Sequence, residues 1–504
     1  MRPEQPLTRR CVSTSPRWQG EVVLLMFLSC ATPVATRPQP PLEGTPTKTA
    51  PRQLPAGLDV DPTSLTPPPL DFALKQPEIV TLPNGVQIYL LEDHTTPLVL
   101  LRALVPVGSA DDRADTLGLA SITATMLTEG GAGARTPEQL EQLLEFQAAD
   151  ASSGAADEFS TVSLSLRAAD LAALLPVFAD LVQRPRFDEK RFEVVVGRFL
   201  EGMRRREDRP DGVAARALSK AVFGPASVLG REPTAATVKA ITLADVKAFY
   251  ASAWAANGAR LIVTGDFDRA ALLKALTPAF ASWKGGVAPT RNWPAPTPLT
   301  RRVIVVPRQI AQAKVRIGTF GYSRGSPKEF PLRLANTALG TFGVGRLYRE
   351  IRDERGLAYS AFSSISTGPT TGLFTAGFDT KPEQVGEALD VATRILGEVG
   401  GAAPISAAEL RTASDMATNA FAFRFEGVAR IAWERATFDL VGYPTDYLTT
   451  WRAKISAVDP ATATEAARQL SEGLQIIVVG PPEKLGDLSR FGPVSTITDV
   501  EQFR

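Results

Sequence analysis

The chain has 504 residues, 44% apolar and 22% charged. That length exceeds one ordinary core and suits two or more domains, and the composition is that of a folded chain. Lys+Arg number 55 and Asp+Glu 54, a balance that argues against a nucleic-acid binder, whose surface must neutralise phosphates. One histidine, His94, and two cysteines, Cys11 and Cys30, restrict the chemistry further. A zinc site built from His and Cys needs three or four such ligands brought together, and this chain cannot assemble one. A Ser-His-Asp triad is disfavoured for the same reason. His94 lies in "LEDHTTP", a polar stretch between two apolar strands, and reads as an exposed turn residue.

At the N-terminus, Arg2, Arg9, Arg10 and Arg17 precede the apolar run "VVLLMFLSC". A positive region followed by a short apolar run is the pattern of a secretory signal, and the run is too short to span a bilayer. Leu28-Ser29-Cys30 resembles the lipobox of bacterial lipoproteins, with residues 1–30 as the signal. In that reading Cys30 becomes the lipidated first residue. Ala31 follows it, which favours the outer membrane of a Gram-negative envelope. The alternative is ordinary cleavage near Ala35 and a soluble periplasmic protein. Either way Cys11 leaves with the signal and no intrachain disulfide forms. Residues 31–77 are rich in Pro and Thr; they cannot bury a core and read as an extended tether.

The folded body starts near Glu78. "IVTLPNGVQIYLLEDHTTPLVLLRALVPVGS" reads as strand, Asn84-Gly85 turn, strand, polar turn, strand, because Asn-Gly is a strong hairpin signal and Val86, Ile88 and Leu90 alternate with polar neighbours. "GLASITATMLTEGG" (118–131) reads as a helix between glycines, with Leu119, Ile122, Met126 and Leu127 on its core side. Ser121, Ala124 and Thr125, at i, i+3 and i+4, share one face. Thr136 and Pro137 supply an N-cap and first-turn proline for the next helix. "STVSLSLRA" (160–168) alternates as a strand. A long helix is expected from Phe187 towards Asp208, then a late helix, "LADVKAFYASAW", and a strand ending at Gly265. The Pro-rich stretch 285–300 reads as a linker. A second pass follows. Two strands come in 301–321, a helix ends on Gly340, "TTGLFTAGFDT" is a strand, and an amphipathic helix follows it. "PATATEAARQL" and "LQIIVVGPP" then repeat the late helix-then-strand ending. Gly480 takes the place of Gly265, an offset of 480 − 265 = 215 residues. A repeat this long implies duplicated domains, here 78–284 and 301–490 with a tail at 491–504, each mixing strands and helices as an α+β fold.

Several stretches together, "LPNGVQIYLLED", "VGS…GLASITATMLTEGG", "RRREDRP" and "GRLYREIRDERGLAYSAFSS", resemble the insulinase/pitrilysin family of zinc metallopeptidases, in the branch of the mitochondrial processing peptidase. The resemblance implies two homologous α+β domains, each a mostly antiparallel sheet flanked by helices, clamped around a chamber for extended peptides. Active members carry an inverted zinc motif, H-x-x-E-H, with two His ligands and a Glu general base, and a later Glu as third ligand. Here the matching positions hold Ser121, Ala124 and Thr125, and the later one holds Gly202. Glu201 is adjacent, but one residue turns a helical side chain by about 100°. The resemblance therefore implies no zinc site in this chain and zinc only in a partner. It also implies a substrate-holding pair, Arg352 and Tyr359 in "IRDERGLAY", both able to donate to a peptide carbonyl. A glycine-rich loop over 340–347 and an edge strand over Ala151 to Ala155, to which peptide adds by main-chain pairing, complete the expected surface.

The functional expectation is a non-catalytic subunit. It would hold extended peptide or unfolded protein through Arg352 and Tyr359 while a homologous chain bearing H-x-x-E-H supplies the zinc. The membrane would be reached only through the Cys30 lipid. The alternative is a stand-alone peptide-binding or scaffold pseudopeptidase of the bacterial envelope.

Overall fold

The computed structural model describes residues 74–283 and 289–502. The lipobox with Cys30, the signal and nearly all of the tether lie outside the described residues. In the first half, β1 (Glu78–Thr81), β2 (Gln87–Glu92), β3 (Leu98–Val105), β4 (Asp150–Ala155), β5 (Ser160–Arg167) and β6 (Arg260–Gly265) form one sheet in the order β1-β2-β6-β3-β5-β4. In the second, strands β7 (Arg302–Pro307), β8 (Ala313–Phe320), β10 (Ala358–Ile365), β12 (Leu373–Thr380), β13 (Gln475–Gly480) and β14 (Val494–Thr496) take the order β10-β12-β8-β13-β7-β14. Two short strands, β9 (Tyr322–Ser323) and β11 (Thr367–Gly368), pair with each other.

Read from opposite ends, the two orders match. The parallel pair β2–β6 corresponds to β7–β13, and both partners start 215 residues later (302 − 87 and 475 − 260). The remaining inner pairs are antiparallel in both sheets. The duplication breaks at one edge. Beside β2 stands the preceding strand β1, antiparallel, whereas beside β7 stands the late strand β14, parallel. The stretch read as a tail thus contributes a strand, and its Val500 is buried.

Local chemistry sets the elements as the spacing predicts. Gly85 takes the left-handed conformation (φ 86°) in the first hairpin, which a side chain would resist. Helix α1 (Leu119–Glu129) and α2 (Pro137–Phe146) precede β4. Thr136 and Gln139 close a reciprocal cap on α2 (3.3 and 3.0 Å). Helix α3 (Leu171–Gln183) follows β5. Helix α4 (Glu189–Arg206) starts two residues later than the apolar pattern suggests. The reason is Phe187, held at φ 53° with its ring packed on Tyr250 (5.3 Å between centroids), so Asp188 becomes the cap. His94 is exposed in its turn and bonds Asp266 (2.7 Å), which raises its pKa.

The periodicity does not disclose how the halves interlock. Helix α5 (Pro210–Phe223), from the first half, lies on the second sheet. Its Val213, Ala214, Ala217 and Leu218 pack against Ile304, Val306, Ile477 and Val479. Asp211 at its start pairs with Arg316 of β8 (2.6 Å). Reciprocally, the helix Val428–Val441 from the second half lies on β2 and β6. There Asp439 accepts from Tyr89 (2.8 Å) and pairs with Arg435 (2.8 Å). Burial, and then Asp439, push the Tyr89 phenol up to about 12. Each sheet therefore has its own helices on one face and a helix of the other half on its opposite face.

Gly318 of β8 marks the closeness of this exchange. A Cβ there would stand 2.9 Å from Leu218 and 2.7 Å from the Phe374 carbonyl. Leu218→Ala is expected to cost about 3 kcal/mol by cavity formation, and Gly318→Ala about 1–3 kcal/mol by overpacking. In hydrogen exchange, both substitutions should lower protection of β6 and β13 together. Loss confined to the second sheet would show that the halves open separately.

Candidate functional site

Helix α1 is entered through Gly118 (φ 106°), and its first turn is capped from outside. The buried Asp112 carboxylate accepts from the amides of Gly118 and Ala120, both at 2.8 Å. Arg231 donates to the Asp112 and Ala110 carbonyls (2.7 and 3.0 Å). Leu119, Ile122, Met126 and Leu127 are buried in the first-half core as their spacing predicts.

The other side of α1 carries the positions where the resemblance places zinc ligands. Ala124 is fully buried. The Thr125 hydroxyl donates to the Ser121 carbonyl (2.9 Å). One turn on, Thr128 bonds Ser153 of β4 (2.8 Å), and Glu129 holds Arg198 of α4 through both oxygens (2.7 and 2.8 Å). Gly202, on α4, has open space where a Cβ would be. Glu201 is committed to Arg204 and Arg205 (3.1 and 2.9 Å). The donor set is thus two hydroxyls, a methyl and a bare backbone position. None is an imidazole, thiolate or free carboxylate, so these residues do not fit zinc.

The second-half residues are brought together. A π-helical turn, Arg349–Glu354, carries Arg352. Its guanidinium lies 4.8 Å from the Tyr348 ring centroid and 5.6 Å from that of Tyr359, as cation–π contacts. Asp353 is its nearest acid, at 3.4 Å. Tyr359 sits where the β10–β12 register shifts, between Ala358 and Ala361, so it is freed from the ladder and stands 81% exposed. Such bulges re-aim a side chain. Gly340 and Gly345 of the preceding loop are obligatory, since a Cβ would meet the Ser363 amide at 2.0 Å and the Thr341 amide at 2.7 Å respectively. Between them Phe342 is exposed and packs on Tyr348 (4.7 Å). Strand β4, Asp150–Ala155, is the outermost strand of its sheet. Sequence reasoning did not find the Asp112 cap or the Tyr348 platform. The first has no spacing signature, because the chain between Asp112 and Gly118 is irregular.

The family model described as Insulinase (Peptidase family M16) matches residues 87–229, and that described as Peptidase M16 inactive domain matches 240–416. The chain belongs to the insulinase (M16) peptidase family. It is a member without the H-x-x-E-H ligands. An uncharacterized zinc protease of Streptomyces coelicolor is 26% identical over 322 residues, 62% of this chain and 69% of that protein. A probable mitochondrial-processing peptidase subunit beta of Arabidopsis thaliana is 23% identical over 83% of this chain and 81% of its own length. The peptidase M16 inactive domain structure from Pseudomonas fluorescens superposes with a TM-score of 0.72 at 22% identity, covering 81% of this chain and 98% of that one. The M16 chain here is thus α+β with two homologous sheet-and-helix halves. Among the described residues no helix is long and apolar enough to cross a membrane.

Burial raises the Asp112 pKa from 3.8 to about 6, against the lowering effect of its two amide donors. The folded state then holds this proton to higher pH than the unfolded state does. Its contribution to stability falls as pH rises from about 4 to about 6, by about 3 kcal/mol in all, and is level above that. The stability difference between the wild type and Asp112→Asn should shift by that amount over this window in urea titrations. A difference independent of pH would refute the assignment.

Proposed function

We propose that this chain is a non-catalytic, substrate-binding subunit of a heterodimeric zinc metallopeptidase, with the zinc held by a homologous partner. The observation that carries the reading is the contrast between the two halves. The first keeps the helical frame of a peptidase site with no ligand on it. The second presents Arg352 and Tyr359 together, one on a π-helical turn and the other on an exposed bulge. A guanidinium and a phenol placed this way donate to a peptide carbonyl, and donors aimed at a developing oxyanion stabilise a transition state formed elsewhere. The free edge of β4 supplies main-chain pairing for the same extended chain. That a relative is described as a subunit supports the two-chain arrangement. The reading takes Cys30 as a lipid anchor and the bacterial envelope, on the periplasmic side, as the place of action.

The test is co-purification from the native membrane in mild detergent, followed by a peptidase assay. A stoichiometric chain with H-x-x-E-H is expected. Arg352→Ala in this chain should lower the joint activity at least tenfold, on the order of one lost oxyanion donor, without dissociating the pair. A partner fully active alone would sink the proposal, and peptide binding with no partner at all would favour a stand-alone clamp.

A further inference from the structure

Arg102 stands in the middle of β3, on the face turned away from the core of its own half. Val99, Leu101, Ala103 and Val105 point into that core, and side chains alternate along a strand. On Arg102's face the exchanged helix Val428–Val441 covers β2 and β6. The β5 and β4 side of the same face carries small polar residues, Ser163 and Ser165 on β5 and Ser152 and Gly154 on β4. Arg102 donates through Nε to Ser163 (2.8 Å), and its guanidinium lies 4.7 Å from the Trp433 ring centroid. Phe159 packs edge-on against the same indole (5.8 Å). Among the described residues no carboxylate pairs with Arg102, and burial alone shifts its pKa, downwards.

The duplication supplies an internal control. By register, Arg102 faces Ile262 and Ser163 as Arg316 faces Ile477 and Gly377. The two arginines occupy the same place in the two sheets. Arg316 is neutralised by Asp211 at 2.6 Å and Asp379 at 3.2 Å. The place of Asp379, two residues along the neighbouring strand, is Ser165 in the first sheet. A desolvated charge without a counter-charge is costly, so the first sheet carries a guanidinium short of a carboxylate. Glu158, the residue before Phe159, is taken by Arg324. Asp150 stands in the next row, opposite Ser165, and makes no ion pair with Arg102.

From Arg102 the row runs over Ser163 to the exposed Ser152 on the free edge of the sheet. Only small side chains intervene. We propose that Arg102, backed by the rings of Trp433 and Phe159, is a subsite for a carboxylate side chain of an extended peptide paired with β4. A strand added beside β4 stands about 10 Å from β5, over which Ser163 holds the guanidinium. A glutamate reaching inward and the guanidinium fork reaching outward span that gap. The subsite rests on the peptide-holding reading and adds a preference to it: acidic residues on the side of the peptide facing away from α1.

The probe is a pair of fluorescein-labelled peptides of roughly twelve alternating Ser, Thr and Val residues, identical but for one central Glu or Gln. Binding to the full chain is read by anisotropy at low and physiological salt. The Glu peptide should bind roughly tenfold tighter, the order of one charge-assisted contact, and the preference should shrink with salt. Arg102→Met should remove the preference. Ser165→Asp, an exposed change that copies the arrangement around Arg316, should do the same without touching the Trp433 packing. Equal binding of both peptides to the wild type, or a preference that survives both variants, overturns the subsite alone. Binding of neither peptide overturns the peptide-holding reading and the subsite with it.

Discussion

The exchange of helices between the two halves is the constraint on which the molecule depends. Each sheet has two faces to cover, and the helices local to one half cover one of them. The second face of each is closed by a helix that belongs, in sequence, to the other half: α5 over β8 and β13, and Val428–Val441 over β2 and β6. Neither sheet buries both faces without the other half. The polar contacts across these junctions, the Arg316–Asp211 ion pair and the Tyr89 hydrogen bond to Asp439, hold each helix in register on a surface that would otherwise offer only non-directional apolar packing. The C-terminal stretch reinforces the arrangement. Lys220 of α5 donates to the Val500 carbonyl (2.6 Å), and Arg206 of α4 pairs with Glu501 (2.7 Å).

That constraint accounts for a peptidase frame surviving the loss of its ligands. Helix α1 earns its place through Leu119, Ile122, Met126 and Leu127, through the Asp112 cap and through Glu129 against Arg198. None of these contacts involves Ser121, Ala124 or Thr125. Replacing imidazole and carboxylate by hydroxyl and methyl removes polar groups that would need partners, and leaves the packing side untouched. The second half keeps a different kind of feature. A π-helical turn and a bulged edge strand are departures from regular structure, and both place one side chain, Arg352 or Tyr359, beyond the ladder. Regular backbone persists where it packs, and irregular backbone occurs where a side chain is presented.

Particular residues show what was legible. The Asn84-Gly85 turn, the alternation of β5 and the Thr136 cap of α2 rest on contacts within a few residues, and the structure places them as their spacing implies. The start of α4 moved because Phe187 is drawn into a ring contact with Tyr250, more than sixty residues away. Residues 494–496 fall in the stretch read as a tail, 491–504, because three residues are too few to carry a periodicity. Their place is set by hydrogen bonds to β7. Arg102 carried no signal, since one cation in an apolar run has no meaning until its face and neighbours are known.

By itself the sequence determined the α+β class and the duplication through the Gly265 and Gly480 endings, and its single histidine is too few for the two of an H-x-x-E-H motif. These follow from local periodicity and from counting ligands. Only the tertiary structure decided which half covers which sheet, that β14 closes an edge, that Arg352 and Tyr359 share one platform, and that, among the described residues, Arg316 has two carboxylates while Arg102 has none. Those are outcomes of long-range contact. They depend on which surfaces remain to be buried once the local elements have formed, and that is a property of the assembled chain.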